Sequence, residues 1–99
     1  MKEYAESTHE KTASAKIYTG RCHLCGVQLI TDGTNNCKLE IFDNTAEGTA
    51  DDKIYECTLE GTASVHGMRD TWVFPVSCLV GMYAKLTGTN ASYVIEFHP

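Results

Sequence analysis

Cys22-His23-Leu24-Cys25 is the stretch of this sequence with the clearest capacity for chemistry. Two thiols three positions apart, with an imidazole between them, make half of a zinc knuckle. The other half, a second CxxC or an HxxH, does not occur, and Cys37, Cys57 and Cys78 are scattered one to a segment. Positions i and i+3 of a regular strand face opposite sides of a sheet. One ion would reach both Cys22 and Cys25 only if Gly26 marked a tight turn. A thioredoxin-type role needs a helix N-terminus to lower the thiolate pKa, and the pattern here is that of a strand. The cysteines therefore read as small buried hydrophobes. No metal and no other cofactor is expected.

Nucleophilic catalysis needs a Cys or Ser beside a His and an orienting acid. His9 and His98 lie near the termini, His66 in a Gly-flanked loop, and His23 on the strand of Cys22 and Cys25. No G-x-S-x-G, HExxH, P-loop or GxGxxG is present. The chain reads as non-enzymatic, with no catalytic residue to assign. The acidic stretch from Asp43 to Asp52 lacks EF-hand spacing and reads as a solvated loop. Asn90-Ala91-Ser92 fits a glycosylation sequon but carries no weight without an export signal.

Binding residues are easier to nominate. Trp72 lies close to Arg69 and to Pro75, and Trp and Arg are enriched among residues that dominate interfaces. Arg69 and Trp72 are the expected partner contacts, joined by Tyr4 and His9 of the N-terminal segment. Trp72, Phe74, Tyr83, Tyr93 and Phe97 could alternatively line a sugar-binding face, although aromatics on short strands are mostly core.

The elements that must position these residues are strands. From Lys16 onward the pattern has period two. Cys22, Leu24, Gly26, Gln28 and Ile30 share one face, and His23, Cys25, Val27 and Leu29 share the other. Apolar residues on both faces indicate a central strand or one closing a barrel. Asp32-Gly33-Thr34-Asn35-Asn36 is turn chemistry. Strands follow over 38–42, 53–59, 71–74, 82–87 and 92–97, with 76–80 continuing to a turn at Gly81. Pro75 cannot donate to a ladder and marks an edge or a bulge. Gly33-Thr34-Asn35 and Gly88-Thr89-Asn90 echo one another as strand–turn–strand units, which suggests hairpin chemistry used twice or a duplicated unit of a jelly roll. No segment offers 10–12 residues of helical periodicity. The fold expected is all-β: a small antiparallel β-sandwich or jelly-roll-like barrel of six to eight strands over residues 16–99.

Residues 1–15 stand apart as a polar arm with Met1 and Tyr4 its only large apolar residues. Such a segment cannot build a core. It is expected to fray, to order on a partner or to form a short helix through Glu3–Lys11, and the domain to fold without it. The rest of the chain has the size of one domain. Its formal net charge of -5 lacks the basic footprint of a nucleic-acid binder. No apolar run approaches a membrane span, and the N-terminus has no signal-peptide core. Five cysteines, an odd number, with no export signal fit a reducing compartment.

The order of these pieces resembles small β-sandwich proteins encoded among the structural genes of tailed bacteriophages. The residues that carry the resemblance are Gly20-Arg21-Cys22-His23-Leu24-Cys25-Gly26-Val27, Thr31-Asp32-Gly33-Thr34-Asn35 and Ile41-Phe42-Asp43-Asn44-Thr45. Phe74-Pro75-Val76, Gly81-Met82-Tyr83 and Thr87-Gly88-Thr89 follow in the second half. The resemblance spans about 80 residues and rests on turn and alternation motifs taken in order. It implies a non-enzymatic virion component, a capsid decoration or cement protein made in the host cytoplasm. The implied partner is the major capsid protein or another virion protein, and the implied assembly a homo-oligomer, a trimer above all. A carbohydrate- or receptor-binding module of a tail or fibre is the alternative, and a small Cys/His metal domain the next. Neither nucleic acid nor membrane is an expected partner.

Overall fold

Short β-branched and aromatic runs separated by turn residues become eight strands in the computed structural model, which describes residues 5–61 and 67–99, the side chains of 72–74 excepted. They are β1 (Glu6–Ser7), β2 (Ala15–Thr19), β3 (Cys22–Ile30), β4 (Cys37–Phe42), β5 (Lys53–Leu59), β6 (Gly67–Cys78), β7 (Gly81–Gly88) and β8 (Ser92–His98). One four-stranded sheet runs β1-β8-β3-β6 and the other β2-β7-β4-β5. Every pairing is antiparallel. The pairs β1–β8, β2–β7, β3–β6 and β4–β5 nest one within another, the connectivity of a two-sheet jelly roll.

The inner faces of the two sheets meet in a single core. Leu24, Val27, Leu29, Tyr93, Ile95 and Phe97 come from the first sheet, Leu39, Ile41, Met82 and Ala84 from the second. Tyr18 on β2 meets Phe97 on β8 with ring centroids 5.8 Å apart.

The two-faced apolar pattern of β3 has a local cause. β3 is the central strand expected, lying between β8 and β6. Leu24 pairs with Phe97 and Gly26 with Glu96, so Cys25 is one residue in excess. A bulge of this kind reverses the alternation. Cys22 and Leu24 point inward before it, Val27 and Leu29 after it, and all four are buried. β3 thus has one apolar face, read in two halves.

The same point distorts β6. Leu24 pairs with Val76 and Gly26 with Thr71, so β6 carries Trp72–Pro75 where β3 has Cys25 alone. The expectation for Pro75 holds, since β6 is an edge strand and the proline sits in its bulge. The segments 71–74 and 76–80 are one strand that ends at Cys78. Of the other edges, β1 is two residues long, β2 is bulged between Lys16 and Tyr18, and β5 carries Lys53 and Glu56.

The N-terminal segment orders on its own chain. Glu6 and Ser7 pair with Phe97 and Glu96. Lys11 exchanges two backbone hydrogen bonds with Tyr93, at 2.8 and 2.9 Å. His9 turns the chain between these contacts with a positive φ of 58°, its N–H donated to Ser7 Oγ. The buried Tyr93 hydroxyl donates to the Ala13 carbonyl at 2.8 Å, Ser92 Oγ donates to Glu10, and the Leu86 N–H donates to Ser14 Oγ. The arm thus runs along β8 from one sheet to the other. The described part of the arm, 5–15, is held largely by hydrogen bonds. Deleting residues 1–15 is expected to cost about 2 kcal/mol through these lost bonds, read as a lower urea midpoint. An unchanged midpoint would make the arm dispensable to folding.

Candidate binding surface

The turn between β6 and β7 consists of Leu79 and Val80, exposed at 62% and 55%. Among the described residues these are the exposed large hydrophobics. Exposed aliphatics on a surface turn carry a hydration cost that local packing does not relieve. Their backbone, in contrast, is held firmly. The Asp43 carboxylate, from the end of β4, accepts from the N–H groups of Leu79 (3.0 Å), Val80 (2.8 Å) and Gly81 (3.3 Å). The Val80 carbonyl accepts from Gly20 N–H at 2.9 Å, tying in the β2–β3 turn. Burial alone would raise the Asp43 pKa, but the three backbone donors outweigh it and hold the carboxyl below the ordinary aspartate value. Gly81 is packed so closely that a Cβ there would lie 2.8 Å from the Tyr18 carbonyl oxygen. The result is a rigid turn whose side chains face solvent.

The loop that supplies Asp43 is also organised from within. Asp43 N–H donates to the Asp52 carbonyl at 2.8 Å, closing residues 43–52 into a ring. The Asp52 carboxylate accepts from Asn44 and from Thr49 N–H. Glu47 pairs with Lys85 at 2.9 Å. Two of the acids read as solvated loop therefore act as acceptors that shape it.

Asp32 does the same at the opposite end of the sandwich. Its carboxylate takes the N–H groups of Asn35 and Thr34, then the Asn35 side chain, which lower its pKa to about 2. Asn90 also hydrogen-bonds to it. The two echoing G-T-N turns therefore lie side by side. Neither is a hairpin turn, because β3 and β4, like β7 and β8, belong to different sheets.

Of the residues nominated from the sequence, the side chains of Arg69 and His9 are described, and they lie apart. Arg69 is on β6, its side chain half exposed and ion-paired with Glu96 of β8. The pair passes over Gly26 of β3, where a Cβ would lie 3.0 Å from Glu96 Oε1. His9 is in the strap at the β1 side of the same sheet, three strand spacings from β6, or about 14 Å. Tyr4 lies outside the described residues, as do His66 and the Trp72 side chain, although Trp72 has its backbone place in the β6 bulge. The aromatic-face alternative loses two members, since Tyr93 and Phe97 are buried. The sequence reading missed Leu79 and Val80 because two aliphatics after Val76 continue a strand pattern. The following Gly81 was the signal that they form a turn.

The cysteines are core material for the most part. Cys22 and Cys78 are register partners, each 1% exposed. Cys22 is in the core cluster and Cys25 is not, so the CxxC thiols do not converge. Burial leads in raising the pKa of Cys22, Cys25, Cys37, Cys57 and Cys78, the last to about 12. Thiols so shifted are poor nucleophiles at neutral pH. Tyr55 on β5 donates to Asp70 on β6 at 2.5 Å, linking the two sheets at their common edge. Burial, followed by that bond, pushes the Tyr55 pKa far up. Among the described residues no three His, Cys, Asp or Glu side chains are grouped to hold a metal ion.

Comparison with protein-family models, curated proteins and solved structures finds no match.

Proposed function

We propose that this protein is a non-enzymatic virion component of a tailed phage, a decoration or cement protein that seats on the capsid surface. The observation that carries the reading is the Leu79–Val80 turn. It presents apolar side chains on a backbone already fixed by Asp43, so binding orders little that is loose, and pre-organisation of this kind favours affinity. The jelly roll itself is used in capsid and lectin domains among others, and a fold alone does not choose between them. The order of turn motifs in the sequence favours the virion. The partner is the major capsid protein or a neighbouring virion protein, with neither nucleic acid nor membrane involved. Assembly in the host cytoplasm suits five free thiols, and a trimer is the expected oligomer.

The test is co-sedimentation of the purified protein with phage heads that lack it. Saturable binding is expected, and Leu79→Ser with Val80→Ser should weaken it about 10-fold or more, as for central interface anchors. Both residues are exposed, so the fold should persist, which circular dichroism checks. Absence of binding to heads would remove the reading. Full binding by the double variant would remove the turn from it.

A further inference from the structure

We propose that Cys22 and Cys78 are a latent disulfide site, two thiols that a peroxide joins into a cross-strand staple at one corner of the β1-β8-β3-β6 sheet. The two residues are register partners on β3 and β6. Partners on antiparallel strands have Cα atoms about 4.5–5.5 Å apart and side chains on the same face. A disulfide takes Cα separations of roughly 4.4–6.8 Å. The bond therefore fits the sheet as it stands. Both side chains belong to the core cluster, each 1% exposed, and a hydrogen bond joins the two thiols.

The other cysteines lack such an arrangement. Cys37 faces Leu59 and Cys57 faces Leu39. Their Cα atoms lie on a diagonal of about 7–8 Å, beyond disulfide reach. Cys25 is the bulge residue of β3 and pairs in register with neither neighbouring strand.

The pair sits where the sheet opens most readily. Cys22 begins β3, and Cys78 ends β6, an edge strand. Strand ends open locally at low cost, which admits a molecule as small as hydrogen peroxide. The hydrogen bond from Gly20 to Val80 spans the two turns that adjoin the pair and keeps the thiols opposed.

Cys22 reacts first. Burial raises the pKa of both thiols, that of Cys78 to about 12, and the hydrogen bond between them adds to the rise at Cys78 while offsetting part of it at Cys22. The Cys22 thiolate attacks one peroxide oxygen, the O–O bond breaks, and hydroxide leaves. The Cys78 thiolate then attacks the sulfur of the resulting sulfenic acid, the S–S bond forms, the S–O bond breaks, and a second hydroxide leaves. The two protons released by the thiols convert both hydroxides to water. The thiols lose two electrons and the peroxide gains them. A reducing compartment keeps the pair open, and sustained exposure to oxidant closes it.

The experiment exposes the reduced full-length protein to hydrogen peroxide at about pH 8.5, near the ordinary thiol value. Remaining thiols are alkylated and tryptic peptides mapped by mass spectrometry. The segment 70–85, whose one cysteine is Cys78, should be joined to 22–38, with fragmentation placing the link at Cys22. Free thiols should fall from five to three. The bond closes a loop of 56 steps (78 minus 22). Tm should therefore rise by about 10 °C or more, and dithiothreitol should reverse the rise. Cys78→Ala should abolish both link and rise, and Cys25→Ala and Cys57→Ala should retain them. The mapping uses the parent chain, so it decides even where Cys78→Ala does not fold. A Cys78 that stays open to alkylation, a link from Cys78 to any other cysteine, or a linked protein whose Tm does not rise would overturn the site.

Discussion

Asp43→Ala should lower the unfolding free energy by about 3 kcal/mol, because a charged acceptor is worth roughly 1.5–3 kcal/mol to its donors and three N–H groups lose theirs together. Those donors belong to Leu79, Val80 and Gly81. Urea denaturation measures the loss, and amide exchange at the three positions should quicken with it. Asp43→Asn is the informative companion. Most of the contacts are to Oδ1, which an amide oxygen can replace without charge, so about half the loss is expected. Equal stability of Asp43→Ala and the parent would show that the turn holds itself. The pH dependence has a definite sign. A carboxyl whose folded pKa is lowered stabilises the fold above its unfolded value and loses that contribution as pH falls through the folded value. Asp43 and Asp32 are both lowered. Stability should therefore drop below about pH 4, where unperturbed aspartate titrates, and Asp43→Asn should flatten that drop.

Gly61→Ala should be more damaging still. A Cβ at this buried position would lie 2.3 Å from the Asn35 carbonyl oxygen and 2.4 Å from its carbon and nitrogen. These are backbone atoms of the β3–β4 turn, so no side-chain rotation relieves the clash. The Gly61 N–H also donates to Asn36 Oδ1 at 2.9 Å, and Thr31 Oγ1 donates to the Asn35 carbonyl at 2.6 Å. Moving the turn breaks both. Overpacking of this severity, with a lost hydrogen bond, costs about 4 kcal/mol. For a domain of this size, that lowers Tm by about 15 °C or more. Gly67→Ala is the control, since its Cβ would meet the Leu29 carbonyl oxygen at 3.4 Å, an ordinary contact. A Gly61→Ala protein as stable as Gly67→Ala would show that the 35–36 turn yields at little cost.

The all-β class was legible because β4, β5, β7 and β8 keep period-two alternation over most of their length and are bounded by turn residues. β3 was legible as a strand but not as to face, since a bulge adds one residue without marking it in the composition. β1 was invisible. Two residues, Glu6 and Ser7, have no pattern, and their place comes from Phe97 and Glu96 far along the chain. The surface site fared worse for a related reason. Leu79 and Val80 have the residue types of a core, and only the termination of β6 at Cys78 turns them outward.

The sheet edges carry a consequence for the protein in bulk. Fibril growth and open-ended polymerisation recruit a straight run of unpaired backbone groups. β1 is too short to offer one, the offsets in β2 and β6 interrupt theirs, and β5 places charge along its own. Copies of this chain concentrated side by side therefore find no long, flat, uncharged edge on which to extend one another's sheets.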